Sequence, residues 1–334
     1  MSFSTPTSRL SKSAYIDGIN QGNRVILSKA ITLIESKLPA DNDLADEIIE
    51  ELLNPLSDTY RVGITGVPGV GKSTFIEAVG NHIIEDGHKV AILAIDPSSQ
   101  KTKGSILGDK TRMESLSNNP SAFIRPSPTG SALGGVASKT RETMILCEAA
   151  GFNVILIETV GVGQSEIAVH GMVDFFLLLA LAGAGDELQG IKKGIMEMAD
   201  AIVVNKADGD NLAAAKKAKT ELNGALHLFA PPENEWFPRV MTCSSLESTG
   251  VNEVWETLKS FKDQMTISGH LAKHRSEQNL EWFHSQINYD LNQRLMSHPQ
   301  IKEQLTLLKS QILSGQLHPK KAAHQITQKF YIKE

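Results

Sequence analysis

"RVGITGVPGVGKSTFIEAVG", residues 61–80, is the stretch on which the fold turns. It opens as a short apolar strand, breaks into Gly66-x4-Gly71-Lys72-Ser73, and resumes as an amphipathic helix. A phosphate cradle needs that order. Glycines let backbone N–H groups turn inward around phosphate oxygens, and the helix N-terminus adds partial positive charge. The expected cradle runs over Gly66, Val67, Pro68, Gly69, Val70, Gly71, Lys72, Ser73 and Thr74. Within it Lys72 is the cation for the β- and γ-phosphates, and Ser73 offers its hydroxyl to Mg2+.

On both sides of the cradle, apolar strands alternate with helical stretches: "RVGIT", "KVAILAI", "NVILIE", "DFFLLLAL", "AIVVNK" and "RVMTCS". That rhythm predicts an α/β fold, a mostly parallel sheet with helices on both faces, of the P-loop NTPase kind. The most apolar run, residues 175–182, falls far short of the ~20 residues a membrane span needs, so it is read as a strand buried on both faces.

In a parallel sheet, ligands sit at the carboxyl ends of the strands. Asp96 closes "KVAILAI" and Glu158 closes "NVILIE", so both carboxylates face the expected phosphate site. Asp109 follows in the charge-rich stretch "AIDPSSQKTKGSILGDKTRM", residues 94–113, which reads as a switch loop. Mg2+ prefers oxygen ligands, and Ser73, Asp96, Asp109 and Glu158 supply them. Another strand ends in Asn205-Lys206-Ala207-Asp208. An aspartate accepts from guanine N1–H and the 2-amino group, whereas adenine offers neither, so GTP is the expected nucleotide. After "RVM", Ser244, Ser245 and Leu246 occupy the place where backbone amides back the base, with Cys243 as a small buried residue.

Residues 20–54 carry helical periodicity through Ile26, Ala30, Leu33, Ile34, Leu44, Ile48, Leu52 and Leu53, and Pro55 ends it. Past residue 266 two apolar stripes appear: Leu280, Phe283, Ile287, Leu291, Leu295, and then Ile301, Leu305, Leu308, Ile312. The chain is therefore expected in three parts: a helical extension over 1–57, a nucleotide domain over 58–265 and a helical arm over 266–334. The opening "MSFSTPTSRLSKSAY" lacks an apolar core and reads as a short disordered tail rather than a secretory signal. A net charge of −5 gives no overall attraction to nucleic acid or anionic membrane. Two cysteines make no disulfide framework, which suits a reducing compartment, the cytoplasm.

Beyond these general signals the chain carries "DPSS", "GSILGDKTRM", "IRPSPTGSALGGVASKTRE", "CEAAGF", "ETVGVGQSE", "GAGDELQGIKKGIMEMAD" and "NKADGDN". In these it resembles the MeaB/ArgK family, GTPases that chaperone adenosylcobalamin-dependent methylmalonyl-CoA mutase. The resemblance is dense over residues 24–255. It implies a SIMIBI-group GTPase core that cycles GTP and GDP with Mg2+, a C-terminal dimerisation arm making a homodimer, and an acyl-CoA mutase as partner. It also implies that Asp96, Asp109 and Glu158 serve the metal and hydrolysis, with Ile95 and Thr159 beside them. Arg112 would contact the nucleotide, and "GDELQGIKKG" would be a third switch whose Lys192 and Lys193 meet the mutase. Lys103 and Ala182 depart from the family pattern, which bears on switch mobility alone. After Gly161 stands Val162, so the water-orienting glutamine of Ras-like proteins is missing and Gln164 lies farther on, which predicts slow intrinsic turnover. Two rivals share the phosphate site: a nickel-inserting GTPase, which would want a Cys/His cluster, and a kinase or ATPase of basic amino-acid transport, which Asp208 opposes. His82 and His88 are expected to face solvent.

Overall fold

The structure, a computed structural model, describes residues 9–54, 57–95, 113–126, 133–159, 165–182, 193–229 and 233–331. Its centre is a sheet of β1 (Tyr60–Gly66), β2 (Val90–Ile95), β3 (Ala122–Arg125), β4 (Val154–Thr159), β5 (Phe175–Leu181), β6 (Ala201–Asn205) and β7 (Arg239–Thr242). The strands lie in the order β3-β2-β4-β1-β5-β6-β7, and every pairing is parallel. Six of the seven are the strands expected from the sequence. The seventh, β3, escaped it because four residues, "AFIR", are too few to show a period, and only pairing with β2 makes them a strand. The expected doubly buried strand is β5, which is flanked by β1 and β6.

Helices α1 (Lys12–Asn20), α2 (Arg24–Ile34), α3 (Pro39–Leu52) and α4 (Lys72–Glu85) precede β2. They are followed by α5 (Glu114–Asn118), α6 (Leu133–Ala149), α7 (Ser165–His170), α8 (Lys193–Met198), α9 (Leu212–Leu226) and α10 (Val251–Ile267). The alternation of strand side chains divides the core in two. One side joins Leu93, Ile155, Phe176, Leu178 and Ile202 to α1–α3, α6 and α9. The other joins Ile64, Ile92, Leu156, Phe175 and Leu177 to Phe75, Ile76 and Ile83 of α4 and Val254, Trp255 and Leu258 of α10.

The N-terminal segment differs from its sequence reading. Helix α1 starts at Lys12, inside the expected tail, because Ser11 caps it by accepting the Ala14 N–H at 3.2 Å and Tyr15 enters the core. Ile19, Leu27, Ile31 and Ile48 are fully buried in the same cluster as the sheet, so these helices form part of a layer over it. Leu53 lies past the end of α3 and is exposed, off the stripe to which its spacing assigned it.

By compactness the chain divides into residues 1–278 and 279–334, and α11 (His270–Ser297) begins in the first and ends in the second. At the start of α11, Arg275 donates to both oxygens of Asp174 at 2.7 and 2.6 Å, to Thr59 O at 2.7 Å and to Ser57 O at 3.2 Å. Asp174, whose side chain is wholly buried, also accepts the Arg61 N–H at 2.8 Å. Arg275→Ala is expected to lower unfolding free energy by about 3–5 kcal/mol, because the buried carboxylate loses its cation. Urea denaturation checks this, and a loss under about 1 kcal/mol would mean the pair is solvated.

In the second unit, α12 (Pro299–Leu313) and α13 (Pro319–Tyr331) close a small core of Ile301, Leu308, Ala322 and Ile326, with Leu295, Leu305 and Ile312 partly buried against it. The other stripe stays open: Leu280, Phe283, Ile287 and Leu291 are 40–62% exposed.

Candidate functional site

Strand β1 lies between β4 and β5, so its carboxyl end opens at the middle of the sheet. There the chain passes through Gly66, Gly69 and Gly71 with φ of 154°, 82° and 91° before α4 begins at Lys72. A Cβ on Gly66 would come 2.6 Å from Leu179 O of β5, and one on Gly71 would come 3.0 Å from Asn205 Nδ2. Close approach to neighbouring strands, together with positive φ, therefore requires glycine at both. Val70 is buried and anchors the loop, while Pro68 and Gly69 are exposed. Ser73 lies half-buried in the first turn of α4 and Thr74 beside it is exposed.

Lys72 turns back over the loop and donates to Gly66 O at 2.8 Å and Val67 O at 3.4 Å. Burial holds its pKa below the ordinary lysine value, against the pull of Glu158 and Glu166, which favours the charged form. Glu158 is buried at the end of β4, in register with Ile64 of β1 and Ala94 of β2. Thr159 is fully buried, and its hydroxyl donates to Thr65 Oγ1 at 2.9 Å, across the β1–β4 seam. Glu166, in α7 and fully buried, is an acid to which the sequence reading gave no role, although it stands in the quoted "ETVGVGQSE". Its signal was an acid closing a glycine-rich turn, but only the fold places it near Lys72. Ile95 pairs with Thr159 at the end of β2. Asp96, Asp109, Arg112, Gly161, Gln164 and Lys192 lie outside the described residues.

On the other side of the loop, β6 ends in Asn205, whose Nδ2 donates to Val70 O at 2.9 Å. Its Oδ1 accepts from Ser245 Oγ at 2.7 Å and Ser245 N at 3.3 Å. Lys206, in the left-handed region at φ 58°, donates to Gly69 O at 2.8 Å. The sequence read these two residues for the base alone, yet in the fold they fasten the phosphate loop to the base strand. Ala207 N–H donates to Cys243 O at 3.0 Å, and the Ser244 hydroxyl donates to Asp208 Oδ2 at 2.5 Å. Ser244 and Thr249 exchange backbone bonds at 2.9 and 3.1 Å, which closes the loop after β7. Leu246 at its tip is exposed. Cys243 is buried as expected, and burial pushes its thiol up to about 11, which leaves it inert near neutrality.

The two histidines are half-buried at the surface. His82 lies within 3.2 Å of Asn252 Oδ1, and His88 meets the Trp255 ring edge-on at 5.4 Å.

Comparison with known proteins follows the same outline. The family model described as methylmalonyl Co-A mutase-associated GTPase MeaB matches residues 27–300. A probable GTPase of Mycobacterium tuberculosis (strain ATCC 25618 / H37Rv) is 50% identical over 308 residues, 92% of each chain. GTPase ArgK of Escherichia coli (strain K12) is 44% identical, over 93% of this chain and 94% of its own. The mitochondrial methylmalonic aciduria type A homolog of Mus musculus is 44% identical, over 94% of this chain and 78% of its own. Among solved structures, one described as a LAO/AO transport system kinase superposes with a TM-score of 0.75 at 37% identity, covering 98% of this chain and all of that one.

Proposed function

The chain belongs to the MeaB family of GTPases, and from that premise we propose that it is the chaperone of an adenosylcobalamin-dependent acyl-CoA mutase, methylmalonyl-CoA mutase by preference. In this reading GTP binding and hydrolysis gate the loading of the mutase with cobalamin and its protection. The observation that carries the proposal is the match to a mutase-associated family over residues 27–300, on a chain whose phosphate loop and base strand are bonded together. The mouse relative's name, methylmalonic aciduria type A homolog, supports the same client.

Lys72 supplies the chemistry by exchanging two backbone carbonyls for phosphate oxygens when nucleotide enters. Glu158 and Glu166 keep its ammonium charged in a half-buried place. The donor set around the cradle is all oxygen, as Mg2+ requires: Ser73 and Glu158, with Asp96, Asp109 and Thr159 assigned to the same ion. When bound, that ion offsets the negative charge of the phosphates. Asp208 reads guanine, with Ser244, Ser245 and Leu246 behind the base, and Arg112 contacts the nucleotide. A kinase of basic amino-acid transport fits less well, because adenine has no N–H to donate where Asp208 accepts. Nickel insertion fits less well too, since His82 and His88 are engaged by Asn252 and Trp255.

The three-part division at 57/58 and 265/266 is kept in this proposal, with the last part as a dimerisation arm. The open stripe of Leu280, Phe283, Ile287 and Leu291 supports a homodimer, because such a stripe is more apolar than a helix in water needs. The full chain carrying Phe283→Glu and Leu291→Glu is expected to sediment as a monomer that still binds GTP. A dimer unchanged by both charges would remove the arm from the interface. No helix of the described residues is long and apolar enough to cross a membrane, and we place the protein in the cytoplasm.

The test of the chaperone role uses the third switch. Lys193 is exposed and meets Glu197 at 3.5 Å, a pair weak enough to exchange for a partner's carboxylate. Lys192→Ala with Lys193→Ala should leave intrinsic GTP hydrolysis within about threefold, a difference under ~1 kcal/mol. It should remove most of the acceleration that added mutase produces. Full stimulation of the double variant would exclude this segment as the signalling element.

A further inference from the structure

A cavity of about 420 Å3 opens at the end of the sheet opposite the nucleotide loops. Asp174 and Asp200, in its wall, stand just before β5 and β6, whereas the phosphate loop and Asn205 follow the other ends of strands. The cavity is therefore distinct from the nucleotide site. Part of the wall is apolar: Phe176, Trp236, Phe261 and Met265. Trp236 and Phe261 pack edge to face at 5.0 Å, which fixes both rings.

The charged part of the wall holds five acids against Lys273 and three histidines, His170, His270 and His274, and most of the acids are engaged. Asp174 is held by Arg275, while Glu197 and Glu277 meet Lys193 and Lys273 at 3.5 and 3.8 Å. Asp200 differs. Its Oδ2 accepts the Phe176 N–H at 2.7 Å, and the Trp236 indole N–H donates to its backbone oxygen at 2.9 Å, but among the described residues it has no cation. Burial pushes its carboxyl up to about 7, so keeping an acid here works against stability at neutral pH. Behind the wall, the buried Tyr60 hydroxyl has no hydrogen-bond partner among the described residues and lies in the field of Asp174 and Asp200. An acid with no cation in the wall of a part-apolar cavity is a place that a cationic ligand would fill.

We propose that this cavity binds a small organic cation, a primary ammonium or guanidinium on a short apolar stem, with Asp200 as its counter-ion. Trp236 already carries the Arg239 guanidinium over its ring at 4.8 Å. With that face of Trp236 taken, Phe176, Phe261 and Met265 receive the ligand's stem, and Asp200 takes its charge. The site stands independently of the mutase reading.

The test uses the full-length protein saturated with GDP, titrated calorimetrically with butylguanidinium and butylammonium, and with neutral butanol and anionic butyrate as controls. Both cations are expected to bind one saturable site with Kd of about 1 mM or tighter, and the controls not to bind. Asp200→Asn preserves the acceptor for Phe176 N–H and should weaken both cations at least tenfold while leaving GTP affinity unchanged. Glu277→Lys, on an exposed part of the rim, should weaken them at least threefold by like charge, and it keeps the test open if the Asp200 variant fails to fold. Failure of either cation to bind, butanol binding as well as the cations, or undiminished affinity in either variant overturns the proposal.

Discussion

Asp208→Asn is expected to bind GTP about a hundredfold more weakly than the native chain and to gain affinity for xanthosine triphosphate. In the proposed role the carboxylate accepts two guanine protons at once, and charge-assisted bonds of this kind contribute about 1.5–3 kcal/mol each. Losing the charge and turning one acceptor into a donor removes on the order of 3 kcal/mol, which is the hundredfold. The structure adds a reason why the exchange should be clean. Ser244 donates to Asp208 Oδ2, so an asparagine that keeps its carbonyl there turns Nδ2 toward the base. Nδ2 then opposes the guanine 2-amino group but faces the 2-carbonyl of xanthine. Asn205 and Lys206 still hold Val70 and Gly69, so phosphate binding survives. Fluorescence titration of both nucleotides measures the shift, and native GTP affinity in this variant would show that Asp208 does not read the base.

Lys72→Met should lower GTP turnover by about a thousandfold or more. The ammonium sits on two carbonyls of its own loop, 2.8 and 3.4 Å away, where the proposed function brings the phosphate oxygens. Removing one such preorganised donor typically costs about 10²–10³ in rate, and here the same loss strips the ammonium that answers Glu158 and Glu166. Methionine keeps the apolar stem of the lysine, so the loop and the guanine contacts are expected to remain. The outcome is a protein that retains guanine selectivity and has nearly lost hydrolysis. Single-turnover GTP hydrolysis with saturating enzyme checks it, and a rate within tenfold of native would place the catalytic charge elsewhere.

Much of this site was legible in the sequence because its parts are local. Gly66, Gly71 and Lys72 lie within one turn of chain, and their spacing alone specifies a strand, a bend and a helix start. Asn205 to Asp208 are four successive residues at a strand end. The expected strands were likewise visible, since buried parallel strands write themselves as continuous apolar runs. The short edge strand β3, with four residues and one neighbour, left no such mark. The start of α1 was hidden by the polar composition around Ser11, which is also what caps the helix.

The amino-acid sequence by itself determined the class of fold, the phosphate loop, the choice of base and the helical character of both ends. Each of these is set by residues close together in the chain. The tertiary structure decided the rest. It put β1 between β4 and β5, laid α1–α3 over the sheet, and brought Glu166 to Lys72. It fastened Asn205 to Val70 across 135 positions of sequence and set Asp200 in a cavity at the far end of the strands. Those contacts join residues that no short-range period relates, so only the packing of the whole sheet could select them.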